Sequence, residues 1–376
     1  MEKQKKNQNK WQPKWLLRLF RKKDETLKID LEKTLGLDIP KDNTYIIPIF
    51  IPHRGCKNEC VFCNQRKISG ELRDVKPEDV RNEIQKFLEL YKDETREKQI
   101  AFFGGSFTGI DIKLQEEYLA VANEYISKGL VKNIRISTRP DYIDENILSF
   151  LKKYNVKIIE LGVQSMADDV LLASKRGHTA EDVIKASKLI KSYGFTLGHQ
   201  IMVGLPQSTE EKEIYTIQQV IDLKPSILRI YPVYVLKDSK LYDMAKDLEY
   251  IPLTLKEAVK RTAKIYKIAI EANINVIRIG LQTTEEINSK NTEILGPVCD
   301  NYRERILSYI SKEELEALIL KKNIKKINGK DIRVVLPKNT HTYNLQVNYI
   351  VGQKRENIKY FSEKYNVNIK IKKGEK

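Results

Sequence analysis

Three of the four cysteines in this 376-residue chain crowd into one short segment, Gly55-Cys56-Lys57-Asn58-Glu59-Cys60-Val61-Phe62-Cys63. This C-x3-C-x2-C run lies just past the apolar stretch Tyr45–Ile51. Thiolates are soft ligands suited to iron–sulfur clusters and zinc. Three on one loop can each reach a different iron of a four-iron cubane, and the fourth iron then stays open. An open iron can bind a cofactor or substrate and hand it an electron, whereas a fully ligated cluster only relays electrons or holds the fold.

Other uses of the run are weighed by context. Four cysteines in 376 residues, behind an N-terminus reading Met1-Glu2-Lys3-Gln4-Lys5, do not describe a secreted disulfide scaffold, and a reducing cytoplasm is expected. A structural zinc site wants four ligands, usually as paired C-x2-C. The other soft ligand nearby is His53, and Cys299 lies 236 residues beyond Cys63. Spacing favours the open cluster and leaves zinc and a closed cluster as alternatives.

The elements that must position this loop alternate. Tyr45–Ile51, Gln99–Phe103, Asn133–Ser137, Lys157–Val163, Thr196–Val203, Ile227–Val235 and Ile274–Ile279 read as strands, mostly β-branched and bounded by turn residues. Between them, Pro77–Tyr91, Lys113–Ser127, Tyr142–Tyr154, Ala180–Tyr193, Thr209–Leu223 and Thr254–Ala272 read as helices. Steady βα alternation predicts an α/β fold with a parallel sheet closed into a partial or complete (βα) barrel. No apolar run approaches the roughly 18 residues of a membrane span.

In such a fold the residues that follow the strands gather at one mouth. Behind the cysteine loop come Gly104-Gly105-Ser106-Phe107-Thr108-Gly109, then Ser137-Thr138-Arg139-Pro140-Asp141, then Glu160-Leu161-Gly162-Val163-Gln164-Ser165, then His199-Gln200 and Gly204-Leu205-Pro206. Any one of these alone reads as a glycine turn or a satisfied cap. Their coincidence at the ends of successive strands predicts one large ligand site.

Cys56, Cys60 and Cys63, with Phe62 before the last cysteine, match the signature of the radical S-adenosylmethionine (SAM) superfamily, and Gly104-Gly105-Ser106 stands where that superfamily has a Gly-Gly-Glu type motif. Phe103 to Gly109, Arg139-Pro140-Asp141, Glu160 to Ser165, Lys175-Arg176-Gly177-His178-Thr179 and Arg229-Ile230-Tyr231-Pro232 resemble the branch containing the Elongator catalytic subunit. The resemblance runs from about Ile47 to about Gln282. It implies a [4Fe-4S] cluster held by the three thiolates, SAM chelating the fourth iron through its methionyl amino and carboxylate groups, and a 5′-deoxyadenosyl radical. By motif position it sets Gly104, Gly105 and Ser106 along the amino end of SAM. Phe62 then falls near the adenine, and Thr138, Gln164 and Gln200 fall around the ribose and methionyl groups. A reductant such as flavodoxin or ferredoxin is the implied electron donor.

Other residues keep plain structural explanations beside functional ones. Arg176 and His178 suit a cap or buried salt bridge as well as a substrate contact. Tyr231 and Tyr234 fit the core or the barrel mouth. Arg278 and Gln282 bracket Gly280 and could close the substrate side, so Tyr231 and Arg278 are the catalytic candidates. Cys299 reads most simply as a thiol outside the cluster.

The Elongator branch carries an acetyltransferase domain after its radical domain. About 94 residues follow Gln282 here, too few for such a domain in full, so acetyl-CoA-dependent carboxymethylation is not expected. The expected organisation is a basic N-terminal extension over 1–40, a barrel over 41–285, a helical connector over 286–325 and a small basic α/β module over 326–376. In the module, Gly352-Gln353-Lys354-Arg355 is similar to the G-x-x-G loop of a KH domain with arginine in place of the second glycine, making Lys354 and Arg355 nucleic-acid candidates.

Charge points the same way. The formal net charge is +16, and residues 1–23 carry nine Lys/Arg against one acid while 321–376 carry fifteen against four, which leaves the body between them at −3. Basic ends on a nearly neutral body predict a polyanionic partner. Lys10 to Arg21 interleaves basic with aromatic and apolar residues, as an arm ordering on RNA or a helix resting on anionic lipid would. The leading expectation is a radical SAM enzyme that modifies RNA, transfer RNA in particular. A protein or small-metabolite substrate is the second, and a nucleic-acid-binding protein with a structural or redox-sensing cluster is the third.

Overall fold

The expected alternation is what the chain builds in the computed structural model, which describes residues 27–30, 44–51, 56, 58–64, 75–281, 293–321, 331–336 and 343–373. In chain order the strands are β1 (Leu27–Asp30), β2 (Thr44–Ile51), β3 (Glu97–Gly104), β4 (Asn133–Thr138), β5 (Val156–Gln164), β6 (Thr196–Val203), β7 (Ile227–Pro232), β8 (Val235–Leu236), β9 (Asn275–Ile279), β10 (Ile294–Leu295), β11 (Asp331–Leu336) and β12 (Asn368–Lys373). The helices are α1 (Pro77–Leu90), α2 (Ile112–Ser127), α3 (Glu145–Lys153), α4 (Asp168–Ala173), α5 (Ala180–Ser192), α6 (Glu210–Asp222), α7 (Lys240–Lys246), α8 (Leu255–Glu271), α9 (Tyr302–Lys321), α10 (Tyr343–Val351) and α11 (Glu356–Tyr365).

Two compact units form, one of residues 38–309 and one of residues 1–37 with 310–376. In the larger, seven strands lie in the order β2-β3-β4-β5-β6-β7-β9, every neighbouring pair parallel, with β2 and β9 at open edges. The barrel is therefore partial. Local sequence starts its helices where expected. Thr179 and Thr254 form capping boxes with Asp182 and Glu257, and Asp111, Asp144, Thr209 and Ser239 cap α2, α3, α6 and α7 through their side chains. Asp144 starts α3 two residues past the expected Tyr142, because Pro140–Tyr142 first form a 3-10 turn. Pro232 likewise ends β7, and the expected run Ile227–Val235 divides into β7 and β8.

Alternation along the strands sorts two buried faces. Ile134, Ile136, Ile159, Leu161, Leu197, Ile201, Leu228 and Ile230 are fully or nearly fully buried. Each side chain of this kind contributes about 1.5–3 kcal/mol when taken from water. The alternate positions Arg135, Glu160, Gly162, Gln164, Gly198, Gln200, Arg229 and Tyr231 give the opposite face of the sheet its polar and glycine lining. The smaller unit holds a parallel sheet in the order β1-β11-β12 with α10 and α11 between its last two strands. Glu316 on α9 accepts hydrogen bonds there from Tyr360, Tyr365 and Lys364 of α11 at 2.6, 2.6 and 2.9 Å. The basic segments 1–23 and Lys10 to Arg21, as well as His53 and Gln282, lie outside the described residues.

Candidate active site

The cysteine loop leaves the end of β2, and its backbone is stitched to elements far along the chain. Cys63 N–H donates to the Cys60 carbonyl at 3.0 Å, closing a turn, while Val61 N–H bonds to Ser174 and the Val61 carbonyl accepts from Leu241. Val61 and Phe62 pack into an apolar cluster with Val170, Leu205, Val233 and Tyr242. All three cysteines are free thiols. Each has its own surroundings. Cys56 Sγ lies 3.2 Å from Ser106 Oγ, and Cys60 Sγ accepts from Arg176 Nη1 at 3.4 Å. Among the described residues no three His, Cys, Asp or Glu side chains close around one point as a single ion with metal–sulfur bonds of ~2.3 Å requires.

The glycine motif after β3 sits against β2. Gly104 has φ +107°, and a Cβ there would lie 2.8 Å from the Ile51 carbonyl oxygen, so only glycine lets the two strand ends meet. Gly105 N–H donates to that same carbonyl at 2.9 Å. This close approach carries Ser106 to Cys56. Next along the mouth, Thr108 and Thr138 share a hydroxyl–hydroxyl hydrogen bond of 2.5 Å. At the end of β5 the buried Gln164 is held at φ +65°, a left-handed backbone that costs a non-glycine residue about 1–3 kcal/mol. Its Oε1 accepts from Gln200 Nε2 on β6 at 3.2 Å. The sequence-predicted Gly104, Gly105, Ser106, Thr138, Gln164 and Gln200 thus fall on the same ends of adjacent parallel strands, beside the cysteine loop.

Two buried arginines were not assigned to the cluster region by sequence. Arg176 spans from Cys60 Sγ to the Gly162 carbonyl, which accepts from its Nη2 at 2.8 Å. Gly162 must be glycine for this, since a Cβ would come within 2.7 Å of Nη2. Gly177 makes room for the side chain of Asn58 on the cysteine loop. Arg139 is 1% exposed, forms a two-pronged pair with Asp141 at 2.9 Å each, and interacts electrostatically with Cys60. Burial, followed by the charges of Arg176 and Arg139, pushes His178 down to about 3, so its ring is neutral and Nε2–H donates to the Val163 carbonyl at 3.3 Å.

Arg139 Nη1, Arg176 Nε and His178 Nδ1 are buried without a hydrogen-bond partner. The two arginine N–H groups, left unpaired among the described residues beside Cys60, are costly when buried alone and favourable beside anionic sulfur or a carboxylate. The residues present therefore fit a thiolate-held cluster with an anionic cofactor next to it. Arg176→Ala is expected to lower cluster retention about 10–100-fold against chelator, the usual scale for a group supporting a metal ligand, while Arg176→Lys recovers part of it. Iron release to a chromogenic chelator, followed over time, checks this.

Deeper in the barrel a charged network draws its side chains from four strands. Glu160 accepts from Arg135 at 3.0 Å and from Arg229 at 2.5 and 3.2 Å, Arg135 also donates to Gln99, and Arg229 donates to the Tyr231 hydroxyl at 3.4 Å. Burial would raise the Glu160 pKa, but Arg229 and Arg135 outweigh it and hold the carboxyl below the usual range. Glu160 reaches Arg229 over Gly198 on the intervening β6, where a Cβ would stand 2.9 Å from Glu160 Cγ. Tyr231 is thus tied to the network. Arg278 on β9 stands in register with Arg229 and donates Nε–H to the Gly280 carbonyl at 3.3 Å. Cys299 lies on another segment, donating to Asn301 Oδ1 at 2.8 Å and accepting from Arg305 Nε at 3.1 Å.

In the smaller unit, Lys354 and Arg355 are exposed between α10 and α11. Gly352, Lys354 and Arg355 have φ of +73°, +48° and +63°, so the loop turns tightly even with arginine at its last position.

Residues 50–219 match the radical SAM superfamily and residues 225–312 match the radical SAM C-terminal domain. The tRNA uridine(34) acetyltransferase of Methanocaldococcus infernus is 33% identical over 185 residues, 43% of this chain and 34% of the relative. Elongator complex protein 3 of Homo sapiens is 28% identical over 201 residues, 49% of this chain and 37% of the relative. This chain thus spans about a third of the length of these relatives. The solved structure of the archaeal Methanocaldococcus infernus Elp3 with an N-terminal deletion superposes with a TM-score of 0.58 at 24% identity, over 73% of this chain and 64% of that one, and shares the fold. Two adjoining domain matches, which between them run from residue 50 to residue 312, and the partial parallel barrel together place the chain in the radical SAM superfamily.

Proposed function

We propose that this radical SAM enzyme modifies RNA, transfer RNA in particular, at the mouth of its barrel. The observation that carries the reading is that two of the relatives matched along the radical domain are named tRNA uridine(34) acetyltransferase. The chemistry supplied on binding a [4Fe-4S] cluster and SAM is one-electron cleavage of SAM to methionine and a 5′-deoxyadenosyl radical that abstracts a hydrogen. Cys56, Cys60 and Cys63 hold the cluster. Ser106 lies against Cys56, and Arg176 donates to Cys60.

Gly104 and Gly105 offer backbone to the amino end of SAM, with Ser106 beside them. Thr138, Gln164 and Gln200 line the ribose and methionyl side, and Phe62 faces the adenine. Tyr231 and Arg278 border the substrate. A flavodoxin or ferredoxin supplies the electron, and the compartment is the cytoplasm. No helix among the described residues is long and apolar enough to cross a membrane.

The smaller unit serves as the RNA grip through Lys354 and Arg355, whose charges flank the start of α11. Binding of a transfer RNA transcript, followed by fluorescence polarisation, is expected to weaken steeply between 50 and 200 mM salt. Lys354→Glu with Arg355→Glu is expected to reduce the slope of log K against log salt by ~1–2 and to weaken binding about tenfold at low salt. Salt-insensitive or undetectable RNA binding by the intact protein counts against the RNA reading. Modified-nucleoside profiles of cells with and without the gene then identify the base.

A further inference from the structure

A second cavity opens beside the far edge of the barrel, between the end of β9 and the start of α9. It encloses about 210 Å³ and is lined by Arg278, Gly280, Cys299, Asp300, Arg303 and Glu304, among others. That is room for about seven waters, or for a tetrahedral oxyanion with part of the group attached to it. Gly280 N–H bonds to the Ile230 carbonyl, so the cavity lies level with the outlet of β7, on the same side of the sheet as the other strand ends.

Its walls carry Arg278 and Arg303, with Asp300 and Glu304 beside them. Arg303 Nε and Nη2 are both buried with no hydrogen-bond partner. These two N–H groups form the edge of a guanidinium that grips an oxyanion with two parallel hydrogen bonds. Among the described residues the hydrogen bond of Arg278 goes to the Gly280 carbonyl, and burial, reinforced by Arg229 and Arg303 and opposed by Tyr231, pushes it below the usual arginine range without removing its charge. The carboxylate that might have served them, Glu160, is taken by Arg135 and Arg229. Asp300 and Glu304 are exposed at the rim, and among the described residues neither pairs with Arg278 or Arg303 within 4.0 Å. Buried guanidinium donors left empty cost more than any exposed acid at the rim recovers.

We propose that Arg303 and Arg278, which both line this cavity, bind a phosphate group of the substrate there. Two guanidiniums facing one cavity suit a phosphate, with its several oxygens and full charge, better than a lone carboxylate. The inference rests on the reading that the barrel mouth receives the substrate, and not on that substrate being RNA. A phosphodiester of an RNA strand and a phosphomonoester of a free metabolite share this chemistry.

The test is isothermal titration of the anaerobically reconstituted full-length protein, without SAM or transfer RNA, against uridine, uridine 5′-monophosphate, the dinucleotide UpU and sodium acetate. The monophosphate or UpU is expected to bind at least tenfold more tightly than uridine, and Arg303→Gln and Arg278→Gln should each bring that ratio to within about twofold, with Arg303→Lys intermediate. Thermal melts of each variant establish that it is folded, and inorganic phosphate should raise the wild-type midpoint but not that of Arg303→Gln. Preference for UpU assigns the site to RNA, and preference for the monoester assigns it to a small phosphorylated substrate. The proposal is overturned if phosphate adds nothing to uridine binding, if its contribution survives both Gln variants, or if acetate binds where phosphate does not. A protein that fails to bind transfer RNA yet shows the Arg303-dependent phosphate term loses the RNA reading and keeps this site.

Discussion

Alanine at Cys56, Cys60 or Cys63 is expected to abolish 5′-deoxyadenosine formation in the anaerobically reconstituted enzyme given dithionite and SAM. Each thiol has separate surroundings, Cys56 against Ser106 and Cys60 against Arg176, and no other thiol lies on the loop to replace it. With two ligands a cubane has two irons open to solvent and is lost to chelation and oxidation. Iron and sulfide content should fall in parallel with the product, and the melting profile should change far less than the chemistry. Serine at the same positions separates ligation from packing, because it preserves size while offering a harder oxygen donor. A serine variant that retained full product yield would show that its cysteine does not ligate the cluster. A wild-type cluster that loads and reduces fully yet leaves SAM intact would favour the structural or redox-sensing alternative.

The reason this loop could be read from sequence is that its chemistry is local. Three thiols within eight residues declare a ligand set before any fold is known, and the strand–helix rhythm around them places it at a barrel mouth. Strand positions followed equally local signals, with β6 expected and found over Thr196–Val203. What escaped is what depends on long separations. Arg176 meets Cys60 across 116 residues because left-handed backbone at Lys175 and Gly177 turns the chain back under the loop. Gly198 looked like a weak point in a strand, and its use appears only when Glu160 is seen passing over it to Arg229, 69 residues away. Strand β1 has too little sequence pattern in four residues to announce that it pairs with β11, some three hundred residues later.

Glu160→Gln is expected to be the most destabilising single change in the barrel that preserves side-chain volume. Arg135 is 3% exposed and Glu160 likewise, so removing the carboxylate charge leaves two guanidiniums facing each other away from solvent. Breaking a buried pair from one side costs about 3–5 kcal/mol, against at most ~1 kcal/mol for an exposed pair such as Lys132 with Glu97. The pH dependence has a definite sign. The Glu160 pKa is lowered in the folded protein, so its contribution is fully present above the unfolded carboxylate value of about 4.3 and is lost as pH falls toward the folded value. Wild type should therefore lose melting temperature more steeply than Glu160→Gln below about pH 4.3, narrowing a gap that is constant at neutral pH. His178 and His199, each held neutral with a value of about 3, steepen the acid limb of both proteins alike, so the difference between the two curves isolates Glu160. Gly198→Ala tests the geometry independently. A methyl group 2.9 Å from Glu160 Cγ must push the carboxylate off Arg229, at a cost of about 1–3 kcal/mol, with the carboxyl still present to titrate. If both variants melt within a degree of wild type at pH 7, the network contributes nothing to holding the barrel. If Gly198→Ala alone is tolerated, β6 yields and the Glu160–Arg229 contact does not depend on the missing side chain.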